Sequence, residues 1–264
     1  MLHFGDSFRI PGKVRWVKIL IWLNVLSFSA THMFQIPVPP NLLPANTELF
    51  MLAGGVIPAE YGAPEALQKD VLVLGSGRIS LTELRPPFFV TLFWSLFLHA
   101  NLLHLVVNLF FLYQLGRNVE AYMGGLRFMF FYFSCGSAGM LAQILYDMHS
   151  LAPIVGASGA ISGLMGAYLV LYADHDFRLT IGQYHRSYRD VIFPFKVILL
   201  VWALNQVLIL LPDPHHTQSV AVFAHIGGFA CGLLLARGRD SGRRRNIKVV
   251  PGEGRENGPF WGVD

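Results

Sequence analysis

The sequence predicts an all-α, polytopic membrane protein whose six transmembrane helices form one bundle. Of the 264 residues, 53% are hydrophobic and only 14% are charged, whereas soluble domains carry about 25% charged residues. Six mostly apolar segments approach or exceed the length of about 20 residues that a helix needs to cross a bilayer. The basic residues are also concentrated beside alternate ends of these segments, as in multi-span membrane proteins.

The candidate spans divide the chain into one membrane domain and two flanking pieces. A cytoplasmic segment at 1–16 precedes the domain at 17–236, and a basic tail at 237–264 follows it and is expected to be disordered. The first span has a charged lead and no clear cleavage site, so we expect a retained anchor. The spans are 17–35, 92–115, 127–146, 157–173, 191–211 and 218–236, with a long extracytoplasmic loop at 36–90.

The distribution of Lys and Arg predicts the orientation of the chain. If the N-terminus is cytoplasmic, 17 of the 20 basic residues lie on the cytoplasmic side, and Lys69, Arg78 and Arg85 lie outside. Such a bias indicates that both termini are cytoplasmic and that the number of spans is even. It also explains the net charge of +4 without a nucleic-acid partner. Since no Arg/Ser-rich transit peptide is evident, we expect a bacterial inner membrane.

Polar side chains inside the predicted spans are few and clustered. Because polar groups are costly in a bilayer, each one indicates a structural or functional role. They occur on the second, fourth and sixth spans, which all run from outside to inside. They are His99, Asn101, His104 and Asn108 on the second span, Ser158 and Ser162 on the fourth, and His225 on the sixth.

Three of these side chains are predicted to lie at a similar depth. At 1.5 Å per residue, His104, Ser158 and His225 lie roughly 20, 24 and 18 Å from the cytoplasmic ends of their spans. Small residues on the fourth and sixth spans would let the two backbones approach closely and bring His225 towards Ser158. These small residues are Gly159, Gly163 and Gly166 on one span and Gly228 and Gly232 on the other.

These residues have the chemistry that acyl transfer requires. A serine hydroxyl needs a base within about 3 Å, and His225 is the candidate base for Ser158. Ser158 follows a Pro/Gly loop, so its N–H is a free first-turn donor that can face an oxyanion. His104 and Asn108 share a helix face and can add donors. No carboxylate lies at this depth, which predicts a dyad; Asp213 is the alternative third member.

Each feature also has a structural explanation. Membrane serines commonly bond to their own backbone, a lone histidine can tie helices together, and glycine faces serve packing. Cys135 and Cys231 are interpreted as small packing residues. A proton or ion pathway would also place histidines in a membrane, but the spans lack carboxylates and paired broken helices. A catalytic site is favoured because the polar side chains lie at a similar depth and the small residues would let their helices approach closely.

The motifs "HLVVN" (104–108), "GASG" (156–159) and "AHIGGFACG" (224–232) resemble the rhomboid family of intramembrane serine proteases. "GGVIPAE" in the first loop and the stretch that contains Glu120 are also similar, and the resemblance covers most of residues 17–236. It implies Ser158 as nucleophile, His225 as general base, and His104 and Asn108 beside the oxyanion. It implies transmembrane protein substrates within a lipid bilayer, and no metal or cofactor. Glu120 and His99 would be structural.

The sequence departs from the family pattern at two places. Ser162 stands where many members carry a tyrosine that supports the catalytic imidazole, and Val90 and Thr91 stand where many carry a Trp-Arg pair. A catalytically silent relative that binds membrane segments for trafficking or quality control is therefore the alternative. By analogy with the family, span 191–211 and loop 211–218 are candidate gate and cap. The adjacent histidines of that loop, His215 and His216, are expected to be solvated rather than metal-bound.

Overall fold

The structure is a computed structural model that describes most of the predicted membrane domain. It covers residues 2–6, 8–9, 14–33, 46–65, 71–74, 77–80, 85–174, 176–183, 187–210, 221–237 and 250–251. The predicted cap at 211–218, with Asp213, His215 and His216, lies outside the described residues. So does the tail, apart from Arg237, Val250 and Pro251.

The chain is mostly helical, with a few short antiparallel strands. The described helices are α1 (Trp16–Met33), α2 (Asn46–Gly54), α3 (Ala59–Gly62), α4 (Phe88–Trp94), α5 (Leu102–Met123), α6 (Gly125–Tyr146), α7 (Ser158–Tyr172), α8 (Phe195–Ile209) and α9 (Val222–Arg237). The strands are β1 (Leu2–Asp6), β2 (Phe8–Arg9), β3 (Val71–Leu74), β4 (Gly77–Ser80), β5 (Asp176–Gln183), β6 (Ser187–Pro194) and β7 (Val250–Pro251). The prediction of an all-α chain was therefore too simple.

The strands form three small antiparallel sheets at the connections between helices. β1, β5 and β6 form a sheet in that order, while β3 pairs with β4 and β2 with β7. Residues 191–194 belong to strand β6 of the β5–β6 hairpin, whereas the sequence predicted that they begin the fifth span. Pro194 explains the difference, because it lies at the N-cap of α8 with ψ 135°, and its ring favours a helix start at the next residue.

The second predicted span is also different from the prediction. Residues 92–115 were expected to form one helix, but α4 and a 3-10 turn at Ser95–Phe97 are separated from α5 by a bend of 88°. Asn101 causes a new helix to begin: its backbone is extended and its side chain accepts a hydrogen bond from the His104 N–H at 2.8 Å. The spanning helix therefore begins at Leu102 and continues past Arg117 to Met123.

Length and composition identify only some of the described helices as complete spans. α6 alone is long and apolar enough to cross a membrane, and the bent pair of α4 and α5 makes a second if it is counted as one span. α7, α8 and α9 are apolar but have 15, 15 and 16 residues. Six spans therefore remain a prediction from the sequence.

Close helix contacts around α9 explain the small residues of the sequence. Gly228 and Gly232 lie against the backbone carbonyls of Gly159 and Gly163, so that an added Cβ would collide with them. At the contact between α9 and α6, the carbonyl of Ala224 occupies the space that a side chain at position 139 would need. α6, α7 and α9 therefore pack at backbone distance, as the glycine faces predicted for α7 and α9.

A single carboxylate ties α5 to the start of α1. Glu120 is 1% exposed, and it accepts hydrogen bonds from the backbone N–H groups of Arg15, Trp16 and Val17 at 2.9, 3.0 and 2.9 Å. First-turn N–H groups have no partner within their own helix and attract negative charge. Glu120 therefore has the structural role that the resemblance implied, and the start of α1 lies at the C-terminal end of α5.

Arg85 anchors the loop that precedes α4. Its guanidinium contacts both carboxylate oxygens of Glu60 and donates to the carbonyls of Leu52 and Gly55. Only 2% of the Arg85 side chain is exposed. A buried, planar guanidinium with this many acceptors holds a loop firmly. The first loop is thus fixed at Arg85, several residues before Val90 and Thr91, where the family pattern has its Trp-Arg pair.

Candidate active site

Ser158 and His225 meet at the contact between α7 and α9. The Ser158 hydroxyl lies 2.8 Å from His225 Nε2, although the residues are 67 positions apart. Ser158 is the first residue of α7, and Gly156 just before it has a φ of +112°, a conformation that glycine adopts readily. The loop therefore turns sharply into the helix, and the first-turn N–H of Ser158 has no partner within α7.

The imidazole of His225 is held from its other side by α8. His225 Nδ1 lies 2.7 Å from Oε1 of Gln206, and an amide oxygen can only accept. Nδ1 therefore carries the proton, and Nε2 is free to accept the proton of Ser158. Sequence reasoning missed Gln206, although an amide that is 6% exposed in an apolar helix is the kind of residue that requires an explanation.

Ser162 lies one turn after Ser158 on α7 and bonds to the backbone rather than to the histidine. Its hydroxyl donates to the backbone carbonyl of Ser158 at 2.8 Å, which is the bond within a helix that serines commonly make. It is 2% exposed and small. Ser162 therefore stands where the family pattern has a supporting tyrosine and does not hold the imidazole of His225, which is held by Gln206 of α8 instead.

His104 and Asn108 lie beside the loop that leads to Ser158. A Cβ built on Gly156 would come within 2.8 Å of two atoms of the His104 ring and 3.9 Å of the Asn108 amide nitrogen. Asn108 Nδ2 donates to the His104 carbonyl at 2.9 Å and has a second hydrogen to offer. Both side chains therefore reach the serine side of the site, where the sequence predicted oxyanion donors.

His99 supports His104 rather than facing the serine. Its ring packs edge-on against that of His104 with centroids 4.9 Å apart, and Nδ1 lies 3.2 Å from the Phe97 carbonyl. It is fully buried and does not line the cavity described below. This placement fits the structural role expected for His99.

Gln143 on α6 caps the helix that carries His225. Its side-chain oxygen accepts hydrogen bonds from the N–H groups of Phe223 at 3.0 Å and Ala224 at 3.3 Å. These N–H groups belong to the first turn of α9 and have no partner within the helix. The cap fixes the start of α9 directly before His225, and sequence reasoning missed this residue as well.

The site opens into a cavity of about 820 Å³. Its walls come mainly from α5, α6, α7, α8, α9 and the loop before α7. The polar residues that line it include Ser158, His225, His104, Asn108, Gln206 and Asp147. Apolar walls with a few converging polar groups are typical of a binding or active site.

Comparison with known proteins identifies relatives of this chain. It is 34% identical over 141 residues to RHOMBOID-like protein 6, mitochondrial, of Arabidopsis thaliana, which covers 53% of this chain and 40% of that protein. It is 32% identical over 146 residues to Rhomboid-like protease 1 of Toxoplasma gondii, with 53% and 43% covered. It is 37% identical over 87 residues to Rhomboid protease GluP of Bacillus subtilis (strain 168), with 32% and 17% covered.

The relatives are longer than the region they share with this chain. The matched part spans less than half the length of each of the three proteins above, and two of the three names include the word protease. The sequence model of the Rhomboid domain matches residues 87–239, which is more than half of the chain and includes α5 to α9 with Ser158 and His225. The chain therefore belongs to the rhomboid family of integral membrane proteins, a family that includes proteases.

Proposed function

We propose that the protein is an intramembrane serine endopeptidase that cleaves transmembrane segments of other membrane proteins. The observation that carries the proposal is the 2.8 Å contact between the Ser158 hydroxyl and His225 Nε2. This distance is within the hydrogen-bond range that a general base needs to take the proton of a nucleophile. Within the described residues, the imidazole is held by a neutral amide, so a dyad supported by Gln206 is proposed rather than a triad.

The reaction follows from the positions of these groups. Ser158 Oγ attacks the substrate carbonyl carbon while its proton passes to His225 Nε2. The negative charge that develops on the carbonyl oxygen is stabilised by the Ser158 N–H and the side chains of His104 and Asn108. The imidazolium then returns its proton to the leaving amine as the peptide bond breaks. Water then attacks the acyl carbon while His225 takes its proton, and His225 returns that proton to Ser158 Oγ as the ester bond breaks, which releases the acid product and regenerates Ser158.

The proposed substrate is a membrane segment because apolar helices border the cavity. α8 forms one wall, and Leu204, Val207 and Leu208 on this helix are 52, 58 and 63% exposed, as expected for a surface in contact with lipid. A helical peptide bond is shielded by its own backbone, so the segment must unwind locally. We expect substrates with small or helix-breaking residues near the scissile bond.

The proposed topology has α1 and α5 to α9 as the six spans, with both termini cytoplasmic. Two observations support it. The Glu120 cap places the start of α1, including Arg15, beside the end of α5, and Arg127 follows that end closely in the sequence. Basic residues near one end of a bundle favour the cytoplasmic side. The proposal that the protein lies in a bacterial inner membrane rests on the sequence alone.

The test uses the full chain, purified and reconstituted in liposomes, with a labelled transmembrane substrate. Wild type should cleave, and Ser158→Ala and His225→Ala should lose cleavage by at least about 10³-fold. Ser134→Ala, a serine on α6 away from the cavity, is the matched control. Cleavage that survives both site variants contradicts the dyad, as does a fluorophosphonate that labels Ser162 instead of Ser158. Binding of membrane segments without cleavage favours the silent relative.

A further inference from the structure

Gln206 connects α8 to the catalytic histidine. In α8, only Phe195 and Gln206 are buried, whereas most of its other residues have apolar side chains that are at least partly exposed. Gln206 also donates from Nε2 to the Trp202 carbonyl at 3.3 Å. The amide is therefore oriented by its own helix, with Nε2 turned to the backbone and Oε1 turned to His225 Nδ1 at 2.7 Å.

Ser162 explains why this support has to come from α8. It has no ring to pack against the imidazole, and its hydroxyl is engaged with the Ser158 carbonyl at 2.8 Å. Trp202 on α8 instead stacks on Phe229 of α9, with ring centroids 5.3 Å apart. The side chains of α8 thus contact α9 both at the histidine and one turn further along it.

We propose that Gln206 is a positioning residue that fixes the tautomer and orientation of His225 in place of a supporting aromatic ring from α7. The inference rests on the proposed function. With Gln206 Oε1 as acceptor, Nδ1 keeps its proton and Nε2 is the atom that accepts from Ser158. Without it, the imidazole can rotate or adopt the other tautomer, in which Nε2 is protonated and cannot act as the base.

Replacing the neutral amide with a carboxylate gives a distinctive prediction. Glutamate at position 206 keeps an acceptor for Nδ1 but adds a negative charge, which favours the protonated imidazole. Because the base must be neutral to act, the acidic limb of the pH–rate profile moves to higher pH. Among the described residues, the other titratable groups that line the cavity with His225 are His104 on α5, Tyr146 on α6 and Asp147 just after α6. α6 also presents the neutral Gln143.

The experiment measures the rate of Ser158 labelling by a fluorophosphonate across pH, with full-length protein in liposomes. Gln206→Leu should label about 10- to 100-fold more slowly at neutral pH. Gln206→Glu should shift the acidic limb of the profile to higher pH by about one unit. At pH values above the shifted limb, its labelling rate should lie within about threefold of the wild-type rate. Recovery at high pH cannot come from a purely structural defect.

Gln114→Leu on α5 is the matched control, since Gln114 is 5% and Gln206 6% exposed and Gln114 does not line the cavity. It should leave the pH profile unchanged. An unchanged rate in Gln206→Leu, or an unmoved limb in Gln206→Glu, overturns the inference while labelling of wild type at Ser158 still supports the nucleophile. A shift that disappears when His104 is replaced by glutamine assigns the titration to His104 and also overturns it. If wild type is not labelled at Ser158, both proposals fail.

Discussion

The carboxylate of Glu120 accepts a hydrogen bond from the backbone N–H of Val17 at 2.9 Å, across 103 positions of the sequence. With the bonds from Arg15 and Trp16, this contact fixes where the first long helix begins. The same carboxylate belongs to the helix that carries His104 and Asn108 near its other end. The start of α1 is thus bonded to α5, the helix that holds His104 and Asn108 in the site.

Replacing Glu120 with alanine should destabilise the fold strongly. Three first-turn N–H groups would lose a charged acceptor, and each such hydrogen bond contributes about 1.5–3 kcal/mol. We expect a free energy of unfolding lower by about 3 kcal/mol or more, measured as a decrease in Tm in detergent. Glu120→Gln keeps one acceptor oxygen and should lose less. Glu65→Gln, at an exposed carboxylate, is the control and should leave Tm unchanged. An equal decrease in Tm for Glu120→Ala and Glu120→Gln would show that the charge of Glu120 matters more than the number of acceptor oxygens.

Gln143→Leu should reduce activity by displacing the start of α9. The substitution removes the side-chain acceptor of the Phe223 and Ala224 N–H groups, directly before His225, although Ala224 keeps its bond to the Ala221 carbonyl. We expect a loss of about 1–3 kcal/mol in stability together with slower labelling of Ser158. Gln143→Glu keeps an acceptor for both N–H groups and adds a charge that is favourable at a helix N-terminus, so it should retain stability and, above the acidic limb of the pH profile, the labelling rate. A destabilised Gln143→Leu protein with an unchanged labelling rate would show that the cap does not position His225.

Sequence reasoning identified residues that lie together in the structure where polar side chains interrupt apolar segments. Ser158, His225, His104 and Asn108 stand out for this reason, and the structure brings them to one cavity. Glycines at helical spacing predicted the contact between α7 and α9 because only small residues allow backbones to approach. These are patterns within single helices, which a sequence displays directly.

The features that were missed depend on contacts between helices, or on capping and proline residues that interrupt an apolar segment. Gln206 and Gln143 act on other helices, and an amide gives no local sign of its partner. The break before α5 results from capping by Asn101, which overrides an apolar run. The last four residues of strand β6 were included in the fifth span because "VIFPF" (191–195) is apolar, although Pro194 marked the boundary. Hydropathy alone does not distinguish these cases.

Gly228→Ala should weaken the contact between α7 and α9. The added methyl group would collide with the carbonyl of Gly159, and overpacking of this kind costs about 1–3 kcal/mol. We expect a lower Tm and slower labelling, because the collision lies next to Ser158. Ala230→Val adds more volume on an exposed part of the same helix and should have little effect. If both variants behave alike, the glycine contact does not determine the helix distance.

Gly156→Ala should inactivate the protein by displacing His104. Gly156 has a φ of +112°, and a Cβ there would lie 2.8 Å from Cε1 and Nε2 of the His104 ring. The variant thus combines backbone strain of about 1–3 kcal/mol with a collision at the proposed oxyanion site. Gly124→Ala is a matched control, since Gly124 has a φ of +83° and nothing lies within 4 Å of its added Cβ. Both variants should lose stability through backbone strain, measured by Tm, with the larger loss in Gly156→Ala because of the collision, but only Gly156→Ala should lose cleavage of the transmembrane substrate. Equal cleavage by the two variants would mean that His104 is not needed where the structure places it.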